Sequence, residues 1–134
     1  MAIRYLKMLL LVCVSMQCLI YGIQNLANID QAYASFAYVA SNQDHLAYPS
    51  SAFPPVNSPL LLWLALATVL LGEFGAGILS LKGAWDLFSH RKATADVFNA
   101  AKTYGILGCG VAVLTWFGLF MVIGGAYFQM WQTE

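Results

Sequence analysis

Three long apolar runs alternate with polar stretches along this chain. The first covers about residues 5–26, with Ser15 and Gln17 its only clearly polar interior positions. The second, 59–81, holds one charged residue, Glu73, and the third, 104–127, holds none. Each reaches the roughly 20 residues a helix needs to cross a hydrocarbon core of about 30 Å. The pattern predicts an all-α membrane protein: one domain over residues 1–134, with three transmembrane helices.

Between the first two runs lies a loop, 29–58. Its first half carries Tyr33, Phe36, Ala37 and Ala40 at helical spacing, after Asp30 as a candidate N-cap. This predicts a short amphipathic helix over about 31–42, lying in the membrane interface with its tyrosines at headgroup depth. The second half, with the residue that follows it, holds every proline of the chain, Pro49, Pro54, Pro55 and Pro59, and reads as a stiff connector. Ser58 as N-cap with Pro59 at the first helical position marks the start of the second span. Past that span, Lys82 to Phe88 can prolong the helix until His90-Arg91-Lys92 ends it. A polar helical lead-in, 94–102, precedes the third span within the loop 82–103. Phe128, Met130 and Trp131 close the third span as an aromatic belt.

Charge adds orientation. Arg4 and Lys7 sit at the N-terminus; Lys82, Arg91, Lys92 and Lys102 lie between the second and third spans; the loop 29–58 and the tail carry no Lys or Arg. By the positive-inside rule the N-terminus is cytoplasmic and the C-terminus periplasmic. The N-terminus also imitates a signal peptide, with Ala32-Tyr33-Ala34 as a small-x-small site. Its apolar run continues through Tyr21-Gly22-Ile23, however, so we read it as a retained span. With 60% hydrophobic and 9% charged residues and zero net charge, the chain has no field for nucleic acid and too little polar surface for a soluble domain.

Candidate chemistry is sparse. Glu73 is the only charge inside a span, and an ionised carboxylate there is costly unless paired. It lies roughly 12 Å from the inner end of its helix, taken near Leu81. Counted from Lys7 and from Lys102, Gln17 on the first span and Thr115 or Trp116 on the third fall near its height. One reading is a structural polar layer of Glu73, Gln17, Thr115 and Trp116. A second pairs Glu73 with another subunit. A third makes it a proton or ligand relay, although pumps usually show chains of titratable groups. Gly72 with Ala76, and Gly108 with Ala112, are spaced four apart and mark helix-packing seams.

Cys13, Cys18 and Cys109 all fall in apolar runs without disulfide spacing and read as small buried side chains. His45 and His90 are expected on opposite sides of the membrane, both solvated, so no metal site is expected between them. Asp86 and Asp96 read as solvated turn or cap residues. No catalytic constellation assembles from so few polar groups, and no cofactor is implied.

Several short motifs carry a resemblance. They are Arg4-x-x-Lys7; Gln24-Asn25-Leu26 followed by Asp30; Glu73 among small residues; Gly83-Ala84-Trp85; and Phe98-Asn99-x-Ala101-Lys102. Trp116-Phe117-Gly118 and the run Gly124 to Gln132 complete the set. In this order they resemble a bacterial family of predicted small integral membrane proteins. Members tend to carry Glu-Trp where this chain has Ala126-Tyr127, so an acidic role at that point has no counterpart here. The resemblance implies a multi-pass protein of the bacterial inner membrane and carries over no catalytic residues. Together with the packing signals it suggests a non-catalytic accessory subunit that meets membrane lipids and other transmembrane subunits or copies of itself, with no soluble substrate. The alternatives are a transport or proton-conducting component centred on Glu73, and a redox-enzyme subunit bordering a quinone or haem held by a partner.

Overall fold

A computed structural model describes residues 1–133 as a helical protein, with no strand among them. Helix α1 runs Ala2–Ala27, α2 Ile29–Ala40, α3 Pro59–Ser89, α4 Ala95–Ala100 and α5 Thr103–Val113. The last continues without a break as π-type turns over Leu114–Tyr127, and a 3-10 turn spans Met130–Gln132. Three stretches are long and apolar enough to cross a membrane: Ala2–Ala27, Pro59–Ser89 and Ala95–Tyr127.

Helix α1 ends at Asn28, whose backbone leaves the helical region at φ −122°, ψ 45°. Its amide side chain donates to Gln24 O at 2.9 Å, and α2 starts at once. The short helix therefore begins two residues earlier than its apolar spacing suggests. Asp30 sits inside the first turn, where a carboxylate suits the helix dipole, and is not the cap. Pro59 does open α3, while Ser58 makes no side-chain cap bond. Proline needs no amide partner there and its φ is already set.

Helix α3 is 31 residues long and ends at His90, whose N–H reaches Asp86 O at 3.1 Å. At about 1.5 Å per residue it is roughly 46 Å long, well beyond an apolar core. Its surplus turns pass the end of the apolar run and pack there. Met8 and Leu11 of α1, Ala84 and Leu87 of α3 and Phe98 of α4 form one buried cluster.

The α3–α5 seam is closed by missing side chains. A Cβ on Gly83 would collide with the backbone of Gly105, and one on Gly108 with Ser80. A Cβ on Gly105 would stand 2.8 Å from Leu11 Cδ1, so the same point also touches α1. On the α1–α3 seam, Leu19 Cγ occupies the space a Cβ on Gly77 would need, and Ser15 Oγ donates to Gly77 O at 2.8 Å. Ala76 is fully buried in this core. Gly72 faces the Thr115 side chain, and Ala112 is half-buried.

Toward the other end the bundle opens. The π-type turns are shown by Phe128 N–H donating to Ile123 O at 3.0 Å, a five-residue step. Such turns are rare beyond single insertions. Only 11% of the third crossing's most apolar stretch is buried, against 28% and 33% for the first and second. Helix α2 folds back over α3, with Tyr33 stacked on Trp63 at 4.6 Å. A cavity of about 390 Å³ remains between α2, α3 and the π-type turns, walled by Phe36, Leu62, Val69, Phe120, Ile123 and Met130.

The tail seals this end. Gln129 adopts φ 52°, and Met130 returns onto Gly124, its Sδ 2.8 Å from where a Cβ would stand. Gln132 Oε1 accepts the amides of Ala47 and Tyr48 at 3.0 and 2.8 Å. Tyr127 stacks on Phe53, and Trp131 meets Tyr48 edge-on.

Candidate functional site: the buried Glu73 carboxyl

Glu73 is fully buried near the middle of α3. Its partner is Asn25, whose Nδ2 donates to Oε2 at 3.0 Å and Oε1 at 3.2 Å. Gly22, one turn back on α1, lets the helices close over the carboxyl. A Cβ there would stand 3.2 Å from the Phe74 ring and 3.4 Å from Glu73 Cβ. A buried carboxyl group needs such a donor, because burial without one costs several kcal/mol.

The expected layer of Gln17, Thr115 and Trp116 is not the arrangement found. Gln17 lies on the exposed face of α1. The cause is register. Ser15 pairs with Gly77 and Leu11 packs near Ala84, so α3 overshoots the assumed inner end at Leu81 by about two turns. The residue level with Glu73 on α1 is consequently Asn25, which sequence reasoning had placed at the exit into water. A signal was present: Asn25 is the first amide after Gln17 on the inward side of α1.

Thr115 Oγ1 donates instead to Val111 O of its own helix at 2.9 Å, and its methyl lies 3.1 Å from a Cβ position on Gly72. It is 2% exposed and acts in packing. Trp116 stacks on Phe120 at 5.0 Å and meets Tyr21 edge-on at 4.8 Å. Its indole faces the buried Cys18 thiol, while Ser80 Oγ is buried without a hydrogen-bond partner among the described residues. Of the layer expected around Glu73, none of the three neighbours bonds the carboxyl.

Among the other polar groups, Cys18 and His90 sit as expected, whereas Cys13 and His45 do not. Cys13 is exposed on the outer face of α1, where it would meet lipid, while Cys18 is buried. His45 is 8% exposed rather than solvated, with Nε2 unpartnered among the described residues. His90 is exposed, its Nδ1 2.8 Å from Asp86 O. Asp86 is held in an ion pair with Lys82. Among the described residues no group of three His, Cys, Asp or Glu side chains could hold a metal.

At the far end of α3 the N-terminus is tied down. Arg4 Nη1 donates to the carbonyls of Arg91 and Ala93 at 2.8 and 2.7 Å, and its guanidinium lies 4.4 Å above the Phe98 ring. Lys82 reaches over Tyr104 at 4.7 Å, joining α3 to α5. The basic residues thus collect at one end of the bundle.

No curated protein and no solved structure matches the chain. One family model does, over residues 3–134, and its description is predicted small integral membrane protein (DUF2165). Three apolar crossings, a carboxyl satisfied inside them and this match over nearly the whole chain agree: the chain belongs to that family of small integral membrane proteins.

Proposed function

We propose that the protein is a non-catalytic packing subunit of a larger bacterial inner-membrane assembly, or of a helical oligomer of its own kind. In this reading its basic end is cytoplasmic, its aromatic end periplasmic, and α2 lies along the outer interface. The observation that carries the reading is a pair of unused glycines on the third crossing. Gly110 and Gly118 have nothing within 4 Å of a Cβ position, whereas Gly72, Gly77, Gly83, Gly105 and Gly108 are all spent on internal seams. Glycine inside a helix costs about 0.5–1 kcal/mol relative to alanine. Its use in membrane helices is close approach to another helix, and the chain supplies none at these two positions.

The Glu73 geometry supports the same reading. A carboxyl held by an amide of the same chain stabilises packing and offers no series of titratable groups along which a proton could pass. The test is the mass of the protein extracted from native membranes in mild detergent. A complex or defined oligomer is expected, weakened in Gly110→Leu and Gly118→Leu while the monomer fold persists. A monodisperse bare monomer, with no partner recovered, contradicts the proposal.

A further inference from the structure

The six cations of the chain share one end of the bundle with only two carboxylates, Asp86 and Asp96. Among the described residues Lys82–Asp86 is the one ion pair. The others are not spread evenly. Arg4 and Lys102 both lie on the Phe98 ring, at 4.4 and 5.8 Å from its centre. Lys102 lies within the electrostatic reach of Lys7 as well as Arg4. Two positive charges, one from α1 and one from the α4–α5 junction, therefore meet over one buried aromatic ring, which is only 3% exposed, and Lys7 adds a third beside Lys102.

Their hydrogen-bonding is unequal. The Arg4 guanidinium is committed to the carbonyls of Arg91 and Ala93. Lys102 Nζ has one neutral acceptor, Asn99 Oδ1, at 2.5 Å. An ammonium has three donors, so Lys102 keeps donors unspent. Bringing like charges together costs free energy, and the cost is relieved by an anion bridging them. Diffuse attraction of basic residues to a membrane needs no such convergence. It would favour charges spread apart, as Lys92 is, exposed in the loop after α3.

We propose that Lys7 and Lys102, framed by Arg4 on Phe98, form a binding site for the phosphate of an anionic phospholipid headgroup. The depth suits that source. The cluster sits where the first and third apolar runs begin, so a phosphate held there has its acyl chains alongside the exposed apolar faces of Leu10 and Ile106. This site is independent of the packing role proposed above, since it lies at the opposite end from the open cavity and uses neither Gly110 nor Gly118.

The test uses the full-length chain reconstituted in phosphatidylcholine bilayers with and without phosphatidylglycerol. Native mass spectrometry after gentle extraction reads the phosphatidylglycerol retained per chain, and thermal unfolding reads the stabilisation it gives. Each lysine near the surface contributes enough that Lys7→Gln or Lys102→Gln should cut retention about fivefold. Lys92→Gln should leave it unchanged, and Lys7→Arg should preserve it. In pure phosphatidylcholine both Gln variants should be at least as stable as wild type, because a like charge has been removed, which separates loss of the site from misfolding. Equal losses in Lys92→Gln, or no preference for phosphatidylglycerol, would overturn the proposal. So would inorganic phosphate in phosphatidylcholine giving the whole stabilisation, which would assign the cluster to a free anion.

Discussion

The two ends of the bundle are built by opposite means. At the basic end, helices meet backbone to backbone through Gly83, Gly105 and Gly108, over the buried cluster of Met8, Leu11, Leu87 and Phe98. At the aromatic end the third crossing widens into π-type turns, a cavity of about 390 Å³ opens beside it, and closure is left to rings and to Gln132. Within lipid there is no hydrophobic force between apolar helices, so close packing and hydrogen bonds must hold them. The basic end has both. The aromatic end relies on ring contacts and leaves more of the third crossing exposed. Close packing and exposure are thus divided along one axis, with the Glu73–Asn25 bond near the boundary.

The sharpest way to break this contrast is to fill the closed seam. Gly83→Leu places a side chain against backbone that no rotamer change can move, and should cost at least about 3 kcal/mol, beyond ordinary overpacking. Gly118→Leu, at the open end, should leave the monomer's unfolding in detergent within about 0.5 kcal/mol, as other exposed changes do. Comparable unfolding for the two variants would erase the distinction between the ends.

The boundary is probed next. Asn25→Leu leaves the Glu73 carboxyl buried without its donor, at a cost of about 1–3 kcal/mol. Adding Glu73→Leu should return most of that loss, since replacing both partners removes the unmet group. A double variant no better than Asn25→Leu alone would show that the carboxyl has another partner.

Two smaller effects follow. Arg4→Ala removes two charge-assisted bonds to carbonyls and the contact with Phe98. It should cost about 1–2 kcal/mol, seen as faster amide exchange in α4 and in the turn at Arg91. Gln132→Ala frees the amides of Ala47 and Tyr48 at an exposed site and should cost under about 1 kcal/mol, with faster exchange confined to the loop. If Gln132→Ala proved the more damaging of the two, the aromatic end would be the rigid one.

Much of this was legible in the residues. Apolar length located the three crossings, Pro59 marked the start of α3, and the lysines and arginines gathered at one end as their order implies. The four small residues chosen for packing include Ala76 and Gly108, both deep in seams. What escaped was relative register. The extension of α3 to Ser89 was itself legible in Lys82 to Phe88 and the His90-Arg91-Lys92 stop, but apolar windows say nothing of which turns of two helices meet, and Ser15 meets Gly77. That shift moved Gln17 off Glu73 and brought Asn25 onto it. It also hid Gly83, which stands outside the apolar run yet carries the tightest approach to α5. The π-type turns had no local cue, because Leu114 to Tyr127 contains no proline and no charged residue. His45 was misjudged because a polar residue in a polar loop gives no sign of the fold that buries it.

The claim on which the rest depends is that this chain crosses the bilayer three times with its basic end inside. The direct measurement is labelling of intact cells by a membrane-impermeant thiol reagent, in a background with Cys13, Cys18 and Cys109 replaced by alanine. Ala2→Cys should be protected until the membrane is permeabilised, and Thr133→Cys should react at once. Both positions reacting from the same side, or the two accessibilities reversed, would contradict the account.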